Sequence, residues 1–321
     1  MLFSRVIPFG FFLFLLLCVA AISPLQAADF ESSLGAGLMF GSTQYQIGGH
    51  FVDAEGTQGT IHFPLSELKF PVTALMARVD FDWRLSERLR LRVNGQTNLT
   101  EETDKMEDSD WLFYTTQLDI YSKSDTEMRA WLADAAIDYT FAEVPFAAGR
   151  ERGQQYQANY YAGVGLRYQK FEFDCSNVYQ WYPSSPSTPA DYVPGLGLKY
   201  EIEYQIPYVE LGVNFEGPGK VSGNFLLGYA PVLHAEDKDQ HLLRDMVSVT
   251  DYGWDGHAWI LEGTLRYQLN EKWFLRGDLA GMWLETNGMS DTAVGGVYNH
   301  SIEQKAESNQ GSIFINLGYD F

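Results

Sequence analysis

Two short acidic stretches carry the side chains best suited to chemistry. Glu236-Asp237-Lys238-Asp239-Gln240-His241 sets a carboxylate and an imidazole two residues apart, at Asp239 and His241. Met106-Glu107-Asp108-Ser109-Asp110-Trp111 sets two carboxylates at the same spacing, Asp108 and Asp110. In an extended chain, residues i and i+2 point to the same side, so each pair can face one cavity. A carboxylate beside an imidazole orients it and keeps it basic enough to take a proton from water. Two close carboxylates repel each other, so one of Asp108 and Asp110 is expected to have a raised pKa and to share a proton. The chemistry these four residues suit is general-base activation of a water, with no covalent intermediate, no metal ion and no cofactor. Two blander uses compete: Glu107, Asp108 and Asp110 as oxygen ligands for calcium, or plain solvated surface, the usual fate of a lone Asp-x-Asp or Asp-x-His.

The elements that must hold these pairs follow from the rest of the chain. Residues 1–27 have one basic residue, Arg5, an apolar run from Val6 to Ile22, and small residues at 27 and 28. This is the pattern of a secretory signal peptide, leaving residues 28–321 as the mature chain. The 321 residues include 22 Lys and Arg against 42 Asp and Glu, a formal net charge of −20. A surface this acidic repels nucleic acid and suits cationic partners. Cys18 falls in the signal, so Cys175 stands alone, which excludes an internal disulfide and a thiolate zinc site.

After the signal, hydrophobicity alternates with period two, the period of strands. Val79, Phe81 and Trp83 alternate with Arg78, Asp80 and Asp82; Leu89, Leu91 and Val93 alternate with Arg90 and Arg92; Ile313, Ile315, Leu317, Tyr319 and Phe321 close the chain in the same way. No apolar run after the signal is long enough for a membrane helix. Short polar turns at 85–88, 216–220 and 269–272 separate these runs, and longer polar stretches at 48–66, 101–125, 181–193, 236–246 and 288–301 read as loops. Five long loops on one side and short turns on the other predict an all-β fold: one transmembrane antiparallel barrel of about ten strands in a bacterial outer membrane. The strands fall near 30–47, 67–84, 88–102, 126–141, 160–180, 194–215, 221–236, 247–268, 273–287 and 302–321. Several exceed the roughly 9–11 residues that cross a bilayer, so the barrel is expected to project outward, with an active-site rim facing the cell exterior. The segment 142–159 fits this plan least well. In such a ring the strands beside Asp108–Asp110 and beside Asp239–His241 lie on opposite walls.

Among the other chemistry-bearing residues, His234, His257 and His300 have no partner at useful spacing. Tyr160, Tyr161, Trp254, Trp259, Trp273 and Trp283 read as aromatic girdle or wall residues, and Cys175 as a small buried side chain.

The two acidic stretches resemble the active-site motifs of the omptins, outer-membrane endopeptidases built on a ten-stranded barrel. Leu34-Gly35 with Gly41-Ser42-Thr43, Ile206-Pro207-Tyr208, Tyr267 and the aromatic terminus resemble other omptin strands. The resemblance implies an aspartic-type endopeptidase in which Asp239 and His241 activate water opposite Asp108 and Asp110. It also implies a pocket acid at Asp237 for a basic side chain of a peptide substrate. Tyr45 falls where omptins place a second pocket acid, which predicts a shallower preference for cationic peptides. Of the basic residues with which omptins hold lipopolysaccharide, Lys170 can serve, but Glu203 stands where an arginine is expected. A monomer is expected. The competing expectation is a non-enzymatic barrel of the same fold, serving as an adhesin, an envelope structural protein or a narrow channel.

Overall fold

A computed structural model describes residues 30–113, 115–146 and 156–321. The expected signal peptide lies outside them, as do residues 147–155 of the difficult segment 142–159. Fourteen antiparallel strands make one sheet: β1 (Phe30–Asp53), β2 (Gln58–Pro71), β3 (Ala74–Arg84), β4 (Leu89–Asn98), β5 (Met106–Trp111), β6 (Leu118–Phe146), β7 (Tyr156–Trp181), β8 (Asp191–Glu216), β9 (Val221–Ala230), β10 (His234–His241), β11 (Met246–Gly253), β12 (His257–Gln268), β13 (Trp273–Val294) and β14 (Val297–Asp320). β14 pairs with both β13 and β1, so the sheet closes on itself and has no free edge there.

The expectation of ten continuous strands is corrected to fourteen, because four crossings of the wall are each broken in two. β2 and β3 both pair with β1, β4 and β5 with β6, β9 and β10 with β8, and β11 and β12 with β13. The breaks have local causes. Pro71 ends β2 and Pro231 follows β9, and proline gives no N–H to the ladder. Gly253 and Gly256, at φ 61° and 92°, turn the chain between β11 and β12 in a region open mainly to glycine.

Along the half of the barrel near the short turns, the alternation sorts by environment. Leu34, Val164, Leu211, Leu265 and Ile315 point outward and are more than half exposed, the pattern of a lipid-facing belt. Trp259, Trp273, Trp283 and Tyr160 join that face. Tyr161 does not: it is buried, and Asn224 Nδ2 donates to its hydroxyl at 2.9 Å inside the lumen. Inward side chains on this half are charged and paired, as buried charges must be. Arg92 Nε lies 2.7 Å from Asp138 and its guanidinium also reaches Glu210; Arg167 bridges Asp134 at 2.8 Å and Glu262 at 2.5 Å.

Beyond the belt the strands continue, and the lumen changes character. Phe70 and Tyr200 stack with centroids 4.3 Å apart, Phe173 lies 5.0 Å from Phe70, and Tyr45 lies 5.2 Å from Tyr200. All four rings are buried, and they form an apolar plate across the barrel. The candidate site lies at this level.

Candidate functional site

Both acidic stretches were expected in rim loops; the structure makes them strands. Asp108 and Asp110 lie on β5, held between β2 and β6, and Asp237, Asp239 and His241 lie on β10, between β8 and β11. Above the membrane both faces of these strands are polar, so the alternation that marks a strand elsewhere is missing from the sequence. Cross-strand hydrogen bonding holds them instead. The i, i+2 expectation is met: Asp237 and Asp239 are buried on the inner face, while Glu236 on the other face is exposed.

His241 Nε2 donates to Asp239 Oδ2 at 3.1 Å, which leaves Nδ1 as the basic nitrogen. Burial alone would make the ring less basic, but the hydrogen bond and charge of Asp239 outweigh it, and the His241 pKa rises above its ordinary 6.5. Across the lumen, burial and then the neighbouring Asp110 push Asp108 up to about 8, against the pull of His241. Asp108 and His241 thus lie within each other's field. Asp108 Oδ1 and Asp239 Oδ1 are both buried and have no hydrogen-bond partner among the described residues. A buried acceptor left unpaired costs about 1–3 kcal/mol, so both oxygens favour a further hydrogen-bond partner.

Glu107 does not join this group. It alternates to the other face of β5 and pairs with Lys123 at 2.8 Å, so the three acids weighed as calcium ligands do not converge. One set of possible metal ligands does converge among the described residues, His234, Glu236 and Asp251, on the outer wall. His234 Nε2 lies 3.4 Å from Asp251 and 3.9 Å from Glu236, which corrects the expectation that His234 has no partner. Asp251 sits opposite Glu236 across the β10–β11 ladder, a neighbour that sequence spacing does not reveal.

Asp237 is almost wholly buried beside Asp239. Its Oδ2 accepts from Tyr200 at 3.1 Å, Tyr252 at 2.8 Å and Gln304 at 2.6 Å. Tyr45 reaches the same region from β1, but its hydroxyl donates to Asp239 Oδ2. Sequence reasoning missed Tyr200, Tyr252 and Gln304, as well as Arg244, whose charge acts on both His241 and Asp108 from the turn after β10. A basic residue three positions after His241 was the available signal for Arg244. Cys175 is buried, as expected, and burial pushes its thiol up to about 12, which makes it a poor nucleophile. Outside the barrel, Lys170 is answered by Glu203 at 2.8 Å, Glu172 at 3.4 Å and Glu201 at 3.7 Å. A cavity of about 600 Å³ opens at the short-turn end among Arg78, Arg90, Arg92 and Arg266, away from these residues.

Burial raises Asp237 from 3.8 to about 7, against the pull of its Tyr252 and Tyr200 donors. The folded state therefore holds a proton there at pH values where the unfolded chain has lost it. The stability this gives is complete below about pH 4 and is lost as pH rises through about 7. Asp237→Asn, neutral at every pH, should flatten the fall in thermal stability over that window. Melting curves of the two proteins between pH 4 and 9 provide the check, and parallel pH dependences would contradict the assignment.

Comparison with known proteins agrees with this architecture. The profile of the Omptin family matches residues 62–280. Among solved structures, the outer membrane protease OmpT from Escherichia coli aligns over 92% of this chain and 99% of its own, with TM-score 0.69 and 15% identity. OprG, an outer membrane protein from Pseudomonas aeruginosa, aligns over 92% of this chain and 97% of its own, with TM-score 0.38 and 10% identity. A search of curated proteins finds no match. The family match spans most of the chain, the barrel has the fold of an outer-membrane protease, and its apolar belt suits a bacterial outer membrane: this chain belongs to the omptin family.

Proposed function

We propose that this barrel is an endopeptidase of the outer membrane that cleaves peptides with a water activated by Asp239 and His241 opposite Asp108 and Asp110. One observation carries the reading: an imidazole hydrogen-bonded to a buried carboxylate lies in the field of a second carboxyl whose pKa burial raises, and each wall offers an unpaired oxygen. His241 Nδ1 takes a proton from water as the water oxygen bonds to the scissile carbonyl carbon. Asp239 stabilises the imidazolium that forms. The carbon–nitrogen bond then breaks, and the imidazolium returns its proton to the departing amine. Asp108, protonated at neutral pH, and Asp110 hold the water from the other wall. The rim opens to the cell exterior, so substrates are peptides or proteins arriving from outside.

The preference for basic side chains is shallow. The acidic chain attracts cationic peptides at long range, but the Asp237 oxygen that would grip an arginine or lysine already accepts three hydrogen bonds. Incubating the folded barrel with a peptide library and sequencing the new termini tests both points. Cleavage should favour peptides with basic residues by no more than about tenfold in kcat/KM, or 1.4 kcal/mol. A steep arginine preference that survives Asp237→Ala would contradict the specificity reading. A library left intact would leave a non-enzymatic barrel, such as an adhesin or structural protein, as the better account.

A further inference from the structure

We infer that Tyr45 is a positioning residue that fixes the Asp239 carboxylate, and through it the imidazole of His241. This rests on the reading of Asp239 and His241 as the water-activating pair. Tyr45 lies on β1, where it pairs with Leu68 of β2 and Ala306 of β14. Leu68 pairs in turn with Asp108 of β5, so the Tyr45 side chain enters the lumen from the Asp108 wall, opposite His241. The hydroxyl donates to Asp239 Oδ2, the same oxygen that accepts His241 Nε2 at 3.1 Å. With two donors on one oxygen, the carboxylate plane can no longer turn, and the ring hydrogen-bonded to it is held with Nδ1 toward the lumen.

Tyr45 is suited to this because it cannot move. It is buried, with its ring 5.2 Å from Tyr200 and 6.3 Å from Phe70, and a tyrosine has only two side-chain torsions to fix. Packing against the aromatic plate therefore fixes the hydroxyl without help from the loops. Burial, and then the charge of Asp239, keep the phenol protonated at any working pH, so it remains a donor. The donor also takes up part of the carboxylate charge, which moderates the field of Asp239 on the imidazole. The groups acting on His241 are then Asp239 on its own strand, Arg244 on the following turn, Asp108 on β5 and, through Asp239, Tyr45 on β1.

Tyr45→Phe keeps the ring and its packing and removes only the hydroxyl, so the barrel should fold. The His241 imidazole titration, followed by NMR on ¹⁵N-histidine-labelled barrel in detergent, should move to higher pH in Tyr45→Phe, because Asp239 recovers the charge its donor had shared. With a cleavable peptide, kcat should fall about tenfold with KM little changed, and the acid limb of the pH profile should move with the NMR titration. In an Asp239→Asn background the same substitution should have almost no effect, since the two act as a unit. An unmoved His241 titration in Tyr45→Phe overturns the inference, whatever the activity. A wild-type barrel that cleaves nothing counts against the peptidase reading alone, because the NMR result still decides the role of Tyr45.

Discussion

His241→Ala should reduce kcat by about 10²–10⁴-fold, the usual contribution of a positioned proton acceptor, and leave a folded barrel. The loss in rate follows from the one nitrogen able to take a proton from water, Nδ1, since Nε2 is committed to Asp239. Folding should survive because His241 ends β10 beyond the membrane, next to a short turn, and Asp239 keeps its Tyr45 donor when the imidazole is removed. Peptide cleavage assays on wild type and variant, with circular dichroism to establish the strand content of both, decide it. A folded His241→Ala barrel that cleaves at the wild-type rate would remove the proposed base and, with it, the reading of the site. Asp239→Asn should act in the same direction, since it removes the charge that holds and stabilises the imidazolium.

The second large effect is on pH. Activity should rise as His241 loses its proton, at a pH above the ordinary 6.5 for an imidazole, because a protonated ring cannot accept from water. It should fall again as Asp108 ionises near pH 8 and loses the proton that burial had held on it. The result is a narrow bell around neutral to mildly basic pH. Asp108→Asn keeps a neutral side chain of the same shape, so the alkaline limb should disappear. Turnover at the optimum should also drop, by about 10²-fold or more, because an amide cannot hold the water as a carboxyl group does. A variant that retains the wild-type alkaline limb would show that another group sets it.

Much of this architecture is legible along the chain, and the exceptions have physical reasons. Within the belt, one strand face meets lipid and the other a polar lumen, so Val79-Asp80-Phe81-Asp82 alternates cleanly and its strand can be read directly. Above the belt both faces of β5 and β10 are polar. Asp239 and His241 were therefore recognisable as a pair by spacing, while the strand that carries them read as a loop. The broken crossings were hidden because β1, β6, β8 and β13 run unbroken beside them and carry the pattern across the gaps. The partners of the site are the least legible part. Tyr45 meets Asp239 across 194 residues of sequence, and Gln304 meets Asp237 across 67. Such contacts depend on closure of the ring, which no local pattern encodes.

The apolar plate also has a consequence for the envelope as a whole. An ion entering from outside would meet the buried rings of Phe70 and Phe173, which offer no replacement for its hydration, and transfer of a bare charge into such surroundings is costly. Deeper in, the paired Arg92, Arg167, Asp138 and Glu262 occupy the path with charges already neutralised by one another. The plate and the paired charges below it together oppose the passage of ions through the lumen.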